Sequence, residues 1–508
     1  MRLRLRLDGR RPRLWHVHLL RRVARMPGVD AIEIDARPGP DGWPANADLL
    51  FSLEALIHRL PRSGASAPAG DADLTAWPQA GDARPDLIVD LCGDTDAGAA
   101  DAVWQLTYDG RLGEPGLLAC LLDGRAPGIG LRDGNRLVAS GRTGTERRGV
   151  MLTSFDDALV RTVSLLSAAV AGRRETSPAL ARTEAVVPSA VLPGGEILAR
   201  TVRILAHAIA QRLYHLCYHA PHWRVGWRRL AGGPDVIDLR RHPDSGWTTL
   251  PDDGRRFYAD PFPLDHRGET WLFVEDYVHA LGKGIVSAVR VTADGPVGVP
   301  APVLEEAHHL SYPFVFVQDG EVWMVPETGS AGTIDLYRAT AFPGGWMKEA
   351  TLVSGVVASD ATLVEHGGLW WMFATVRDAP LGAALGSGSY SDALHLWSAP
   401  DFRGPWMAHA HNPVLVDVAS ARPAGRIVGR GGALIRPVQD CTEGYGRALA
   451  LARIDRLDAG GYAQTVETRL AAGPLWPGTR LHTLNRSKTL ECIDGSARSP
   501  RLRTILGR

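Results

Sequence analysis

The chain reads as a multidomain protein, a small α/β domain followed by an all-β five-bladed propeller. Three observations lead there. Strand-like and helix-like segments alternate over residues 1–171. A Pro-, Ala-, Gly- and Ser-rich stretch at 172–195 breaks the pattern. Beyond residue 219 a hairpin motif returns four times in one register.

The N-terminal elements follow from local pattern. Leu14–Arg25 has helical apolar spacing, and Ala31–Asp35 reads as a strand. The run PDLIVDL (85–91) suits a buried parallel strand, and Ser154–Ala171 reads as a helix. Residues 62–84 form a loop-like insert. The stretch 172–195 reads as a linker. Residues 196–218 then carry Ile197, Val202, Leu205, Ile209, Leu213 and Leu216 at helical spacing, interrupted by Arg200, Arg203, Gln211 and Arg212. This predicts an amphipathic helix that packs on a domain, with a membrane-surface helix as the alternative.

The repeat starts at Asp260, Tyr312, Asp360 and Ala424. Eight residues on stand Gly268, Gly320, Gly368 and Gly432. Eleven on stand Trp271, Trp323, Trp371 and Ile435. Fifteen on stand Glu275, Glu327, Thr375 and Gln439. Each unit is a hairpin about a glycine turn, followed by a third strand (GIVSAVRV, TIDLYRAT, ALHLWSAP, GRALALARI) and a fourth. Four strands per unit is the arithmetic of a propeller blade. A fifth hairpin lies at 480–495. Its outer strands are found upstream, in WRVGWRRL (223–230) and GWTTLP (246–251). The fifth blade therefore closes with strands from both ends of the 219–500 domain, leaving no free sheet edge.

Composition excludes several classes. Apolar residues are 45% and charged residues 22%, as in ordinary globular chains. Net charge is +0, so no basic field points to nucleic acid. Lysine occurs only at 283, 348 and 488, a bias read as GC-rich coding in a bacterial-type protein. Five scattered cysteines without a CxxC pair speak against a disulfide framework or zinc site and for a reducing, cytoplasmic setting. No signal-peptide core and no membrane-spanning run is expected, and no cofactor is implied.

Inner strands of a propeller line its central channel, so residues at the repeat starts converge at one mouth, with the offset-fifteen residues beside them. Asp260, Glu275, Tyr312, Glu327, Asp360 and Gln439 are thereby brought together, flanked by Arg422 and Arg426, with His482 from the fifth blade and His309 from the HLSYPF run. Glycoside chemistry needs two carboxyl groups roughly 5–10 Å apart, one of them kept protonated. Asp260, Glu327 and Asp360 are the candidates, on three different blades. Bland readings stand beside this. Asp360 suits satisfaction of backbone amides, Glu275-Asp276 a solvated strand end, and the two arginines structural ion pairs. The repeat tryptophans suit inter-blade core. The His308-His309 pair lacks ligand spacing for a metal.

ADPF (259–262), HLSYPF (309–314), VPET (325–328), the Asp360 segment and HNPVLVDVASARPAGR followed by RPVQDC (436–441) resemble a known propeller domain. It is the N-terminal domain of plant glucosamine inositolphosphorylceramide transferases and bacterial relatives, similar in architecture to family 43 glycoside hydrolases. The resemblance implies Asp260 as base and Glu327 as acid. The carboxylates run Asp, Glu, Asp along this chain, whereas those hydrolases run Asp, Asp, Glu. PDLIVDLCG (85–93) and residues 103–131 resemble a formyltransferase-type domain, but no histidine occurs between His58 and His207 to polarise a formyl group. Residues 1–171 are therefore expected to be a degenerate binding or docking module.

The functions expected are a glycoside hydrolase or transglycosylase acting on a glycan or glycolipid headgroup, or a non-catalytic sugar-binding module serving a separate glycosyltransferase. Sugar formyl transfer is the weakest reading.

Overall fold

The computed structural model describes residues 1–39, 42–44, 46–61, 63–94, 100–172, 194–378 and 387–501. The chain divides into two compact units. One comprises Met1–Ala210 with Asp378–Asp392 and Leu415–Asp417. The other comprises Gln211–Arg377, Ala393–Val414 and Val418–Arg508. Nearly all of the stretch read as a linker, residues 173–193, lies outside the described residues.

In the first unit the sheet runs in the order 31–37, 2–8, 87–90, 102–108, 128–133, 136–142. The first four strands are parallel and the last two antiparallel. Alternation in RLRLRLD buries Leu3, Leu5 and Leu7. Helices Leu14–Val23, Ala47–His58, Gly113–Leu122 and Met151–Val170 bring Trp15, Leu19, Phe51, Leu117 and Phe155 into the same core. Asp392 belongs to this unit and pairs with Arg161 at 2.7 Å, both fully buried.

The second unit is a five-bladed propeller. Blade 1 holds strands Arg256–His266, Glu269–Val278, Lys283–Thr292 and Ala301–Leu304. Blade 2 holds Ser311–Gln318, Glu321–Glu327, Thr333–Ala341 and Gly344–Ser354. Blade 3 holds Val357–His366, Leu369–Arg377, Ala393–Ala399 and the short Met407–Ala408. Blade 4 holds Val428–Arg430, Ala433–Asp440, Ala448–Asp458 and Gly461–Ala471. Blade 5 takes Leu484–Arg486 and Leu490–Ser496 from the C-terminal side and Trp223–Arg229 and Thr248–Thr249 from the N-terminal side. Trp223 pairs with Ser496 and Arg229 with Leu490, so the ring is fastened by chain segments far apart in sequence.

Trp271 and Trp323 meet aromatic rings of the following blade, Trp271 against Phe342 at 5.6 Å. Trp323 is buried edge-on against Phe402 at 5.0 Å, and Trp371 is buried. Glu275 and Asp276 are not a solvated strand end. Both are buried, and Asp276 pairs with Arg256 at 2.9 Å and accepts from Ser287 at 2.8 Å.

The expected amphipathic helix spans Gly194–Cys217. Its burial differs from expectation. Ile197 and Ala208 are buried, but Leu198, Val202, Leu205, Ile209, Leu213 and Leu216 are exposed. The packed face is a different stripe from the one the apolar spacing singled out.

Candidate functional site: the mouth of the propeller

Each inner strand of blades 1–3 carries a one-residue bulge at the repeat start. Ala259 pairs with Glu275 and Phe262 with Phe273. The pairs are Ser311–Glu327 and Phe314–Val325 in blade 2, and Ser359–Thr375 and Thr362–Phe373 in blade 3. Offset fifteen therefore faces the residue before the repeat start, one position from the simple expectation. The extra residue takes a left-handed backbone: φ is +48° at Asp260, +43° at Tyr312 and +59° at Asp360. Bulges re-aim side chains and backbone groups, and these three non-glycine residues hold that strained conformation at the channel.

The bulge amides are received by acidic side chains of neighbouring inner hairpins. Asp494 Oδ2 accepts from Asp260 N at 2.7 Å, Asp260 Oδ2 from Tyr312 N at 3.2 Å, and Glu327 Oε2 from Asp360 N at 3.1 Å. Asp360 in turn receives Arg422 Nε at 2.6 Å and Gln439 Nε2 at 3.0 Å. The ring of blades 5, 1, 2, 3 and 4 is thus joined in sequence around the mouth. Asp360 does not serve backbone amides as its bland reading had it; its carboxylate takes side-chain donors of the next blade, and Arg422 is the structural ion-pair partner.

The remaining predicted residues fall as follows. His482 Nδ1 lies 2.6 Å from Asp494 Oδ1, and its Nε2 lies 3.3 Å from Asp260 Oδ1. The ring packs against Trp223, with centroids 4.2 Å apart. His309 Nδ1 accepts from Gly284 N at 2.8 Å, which turns Nε2 toward Glu275 at 3.5 Å. The Tyr312 hydroxyl meets Thr362 Oγ1 at 2.8 Å. Arg426 is not in the carboxylate cluster. Its guanidinium donates to Val315 O at 2.6 Å and lies 4.9 Å from the Phe314 ring centroid. Its side chain braces an inner strand, because Gly425 turns the backbone away at φ +140°.

Three participants were not predicted. Asp494 follows Ile493, the partner of Leu484 in the fifth hairpin, whose turn Ser487–Thr489 has no glycine, so the repeat register does not index it. Thr483 donates to Asp260 Oδ1 at 2.8 Å. Tyr445 covers Arg422, with its ring centroid 4.6 Å from the guanidinium carbon. It comes from the turn between two blade 4 strands, which the repeat does not index.

So many acids in one buried place must shift their titrations. Burial pushes Glu327 up to about 8, with Asp360 and Asp260 adding to the rise and Arg422 opposing it. Burial also raises Asp260 to about 6, opposed by His482 and reinforced by Asp494 and Asp360. Burial, with the Asp260 and Glu327 charges behind it, raises Glu275 well above the usual range. For His482 burial works downward, but Asp494 and Asp260 outweigh it and the net shift is upward. Burial lowers His309, and His308 adds to the fall.

One donor atom from each of Asp260, His482 and Asp494 lies within 4.8 Å of the others, a spacing that could hold a metal ion. Each imidazole nitrogen lies within ion-pair distance of a carboxylate, 2.6 Å from Asp494 and 3.3 Å from Asp260, so the histidine sits between two acids.

The N-terminal unit has its own cavity of about 390 Å³, lined by Asp8, Arg10, Arg11, His16, Trp43, Cys92 and Glu114. Glu114 receives Arg13 Nε and Trp15 Nε1, each at 2.7 Å, and burial pushes His16 down to about 4.

Comparison with known proteins bears on the propeller. Residues 249–493 match the family described as glucosamine inositolphosphorylceramide transferase 1, N-terminal. The rice protein of that name (Oryza sativa subsp. japonica) is 34% identical over 242 residues, which cover 45% of this chain and 31% of the rice protein. The Arabidopsis thaliana protein is 32% identical over 288 residues, covering 53% of this chain and 36% of that protein. The chain thus spans about a third of the length of these curated relatives. Among solved structures, a thermostable family 43 glycoside hydrolase aligns with TM-score 0.31 and 13% identity, over 44% of this chain and 78% of that one. A family 117 glycoside hydrolase from Zobellia galactanivorans aligns with TM-score 0.35 and 12% identity, over 54% and 91%.

These relatives are plant proteins, and the expected bacterial origin gains no support from them. The family match lies within 249–493, so the formyltransferase resemblance of residues 1–171 rests on its sequence segments alone. The segment 249–493 is similar to the N-terminal part of the glucosamine inositolphosphorylceramide transferases, and it forms most of the five-bladed propeller, which the strand Trp223–Arg229 completes.

Proposed function

We propose that the propeller mouth binds a sugar-containing ligand, a glycan or glycolipid headgroup, and performs acid–base chemistry on its glycosidic bond. Glu327 is the general acid and Asp260 the base. One observation carries the reading. Two carboxyl groups in one channel mouth are held at about 8 and about 6, so at neutral pH one keeps its proton while the other is ionised. Asp360, fixed between Arg422 and Gln439, raises Glu327 without competing for its role. Glu275 and His309, which face each other at 3.5 Å, supply an acceptor and a donor for sugar hydroxyls, while Tyr312 and His482 hold the inner strands and Asp260 in place.

A second reading has its own support. Both Asp260 oxygens already accept hydrogen bonds, from Thr483 and from Tyr312 N. That suits a non-catalytic binding module beside a separate glycosyltransferase. The five cysteines, none of them in a disulfide, are in keeping with a cytoplasmic setting for either.

The test is to incubate the full chain with aryl glycosides and glycosylated inositol phosphates, following both binding and product. Turnover lost in Glu327→Gln and Asp260→Asn, with binding retained, supports the enzyme. Binding without product in the wild type supports the module. A folded protein that takes none of these ligands sinks both.

A further inference from the structure

The helix Gly194–Cys217 carries an apolar stripe that is exposed among the described residues. Leu198, Val202, Leu205, Ile209, Leu213 and Leu216 are each between 47% and 73% exposed. At 3.6 residues per turn they fall within an arc of about 80° and extend roughly 27 Å along the axis. Soluble proteins seldom leave a continuous apolar patch of this kind without a use for it.

The charges around the stripe are mostly of one sign. Arg212 borders it on one side, and Arg203 lies on the other, with Arg200, His207 and His215 beyond. Glu196 is the helix's one acid, and it already pairs with Arg200 at 3.2 Å. No described helix is long and apolar enough to cross a membrane, this one included. A long, cationic, one-sided helix suits the headgroup boundary of a bilayer.

A second copy of the chain fits less well. Val202, Leu205, Ile209 and Leu216 follow the spacing of a two-helix seam, but Arg212 occupies the seam position between Ile209 and Leu216. Pairing two such helices would bury that arginine with no acid within four turns, since Glu196 lies near the N-terminal end. A lipid surface imposes no such penalty, because Arg212 reaches the phosphates while the leucines enter the acyl boundary.

We propose that residues 194–217 form a membrane-interface helix that docks the protein on anionic lipid. The inference stands apart from the reading of the propeller mouth. Its stripe and the sugar site share no residue, and either stands if the other fails.

The test is co-sedimentation of the full chain with vesicles of phosphatidylcholine alone and of phosphatidylcholine with 30% phosphatidylglycerol, alongside light scattering across protein concentrations. The wild type should partition onto the anionic vesicles, and less as salt rises. Leu205→Glu/Ile209→Glu should abolish partitioning. Leu198→Glu/Leu216→Glu, at the ends of the stripe, guards against a local effect of the first pair. Arg203→Ala/Arg212→Ala should weaken binding by about 25-fold, since each arginine near an anionic surface contributes about fivefold. All of these positions except Arg203 and Arg212 are exposed apolar ones, so the melting temperature should hold. A wild type that ignores anionic vesicles overturns the proposal. So does partitioning unchanged in both glutamate variants, or a dimer that those variants dissolve.

Discussion

Glu327 Oε2 accepts the main-chain N–H of Asp360 at 3.1 Å, so a carboxyl pushed up to about 8 is anchored by the backbone of the next blade. The anchor exists because Asp360 sits at a bulge with φ +59°, which turns its amide toward the channel. The same device joins Asp494 to Asp260 and Asp260 to Tyr312. The ring that assembles the site is therefore also what closes the fold.

Glu327→Gln should lower turnover by about 10²–10⁴-fold while leaving ligand affinity near wild type, because the amide keeps the acceptor but cannot give up a proton. The wild-type rate should be bell-shaped in pH. It rises as Asp260 ionises near about 6 and falls as Glu327 loses its proton near about 8. Asp360→Asn removes a charge that raises Glu327, so the alkaline limb should move to lower pH.

Arg422→Met should destabilise the propeller by about 3–5 kcal/mol, the cost of leaving a buried carboxylate without its partner. Asp360 and Arg422 are both almost inaccessible, and their contact is 2.6 Å. Combining Arg422→Met with Asp360→Asn should recover much of the loss. A chemical denaturation cycle over the four proteins measures the coupling, and additive losses would show that the pair is not a unit.

Much of this was legible in the sequence. The register of Asp260, Tyr312 and Asp360 identified the blades, and the strand-like runs at 223–230 and 246–251 identified the closure. The bulge was not legible, because an extra residue in one strand leaves the spacing between repeats unchanged. It moved the partner of Glu327 from Tyr312 to Ser311. Arg426 was misplaced because its backbone follows Gly425, whose φ of +140° no repeat offset encodes. Tyr445 arrives from a turn of irregular length. The apolar spacing over 196–218 points to a helix, but periodicity does not say which face is covered.

Gly425→Ala should destabilise the protein by more than about 2 kcal/mol, since strain at one disfavoured backbone position alone costs about 1–3 kcal/mol and the clash adds to it. An added Cβ would stand 2.0 Å from Leu484 O, and the backbone there is one that side chains disfavour. Gly429→Ala, where a Cβ meets nothing within 4 Å, is the control and should cost little. Thermal melts of the two variants decide it, and equal melting temperatures would contradict the clash.

Stability should fall as pH rises from about 4.5 to about 8. Glu327 titrates higher folded than its ordinary 4.5, so the native state holds a proton that the unfolded chain has released. Its contribution is complete below the unfolded value and is lost as pH passes the folded one. Asp260 acts in the same sense between 3.8 and about 6. Denaturant midpoints measured across this range should slope downward, and Glu327→Gln should flatten the upper half of the slope. A slope identical in wild type and variant would remove Glu327 as its source.

The most direct measurement is the titration of Glu327 itself, by carbon-13 NMR of labelled glutamate side chains in the full protein, with Glu327→Gln assigning the resonance. A midpoint near 8 means the carboxyl is protonated at neutral pH and able to act as an acid. A midpoint near 4.5 would contradict this. Glu327 would then be an ionised acceptor for the Asp360 amide, and the mouth would lack its proton donor.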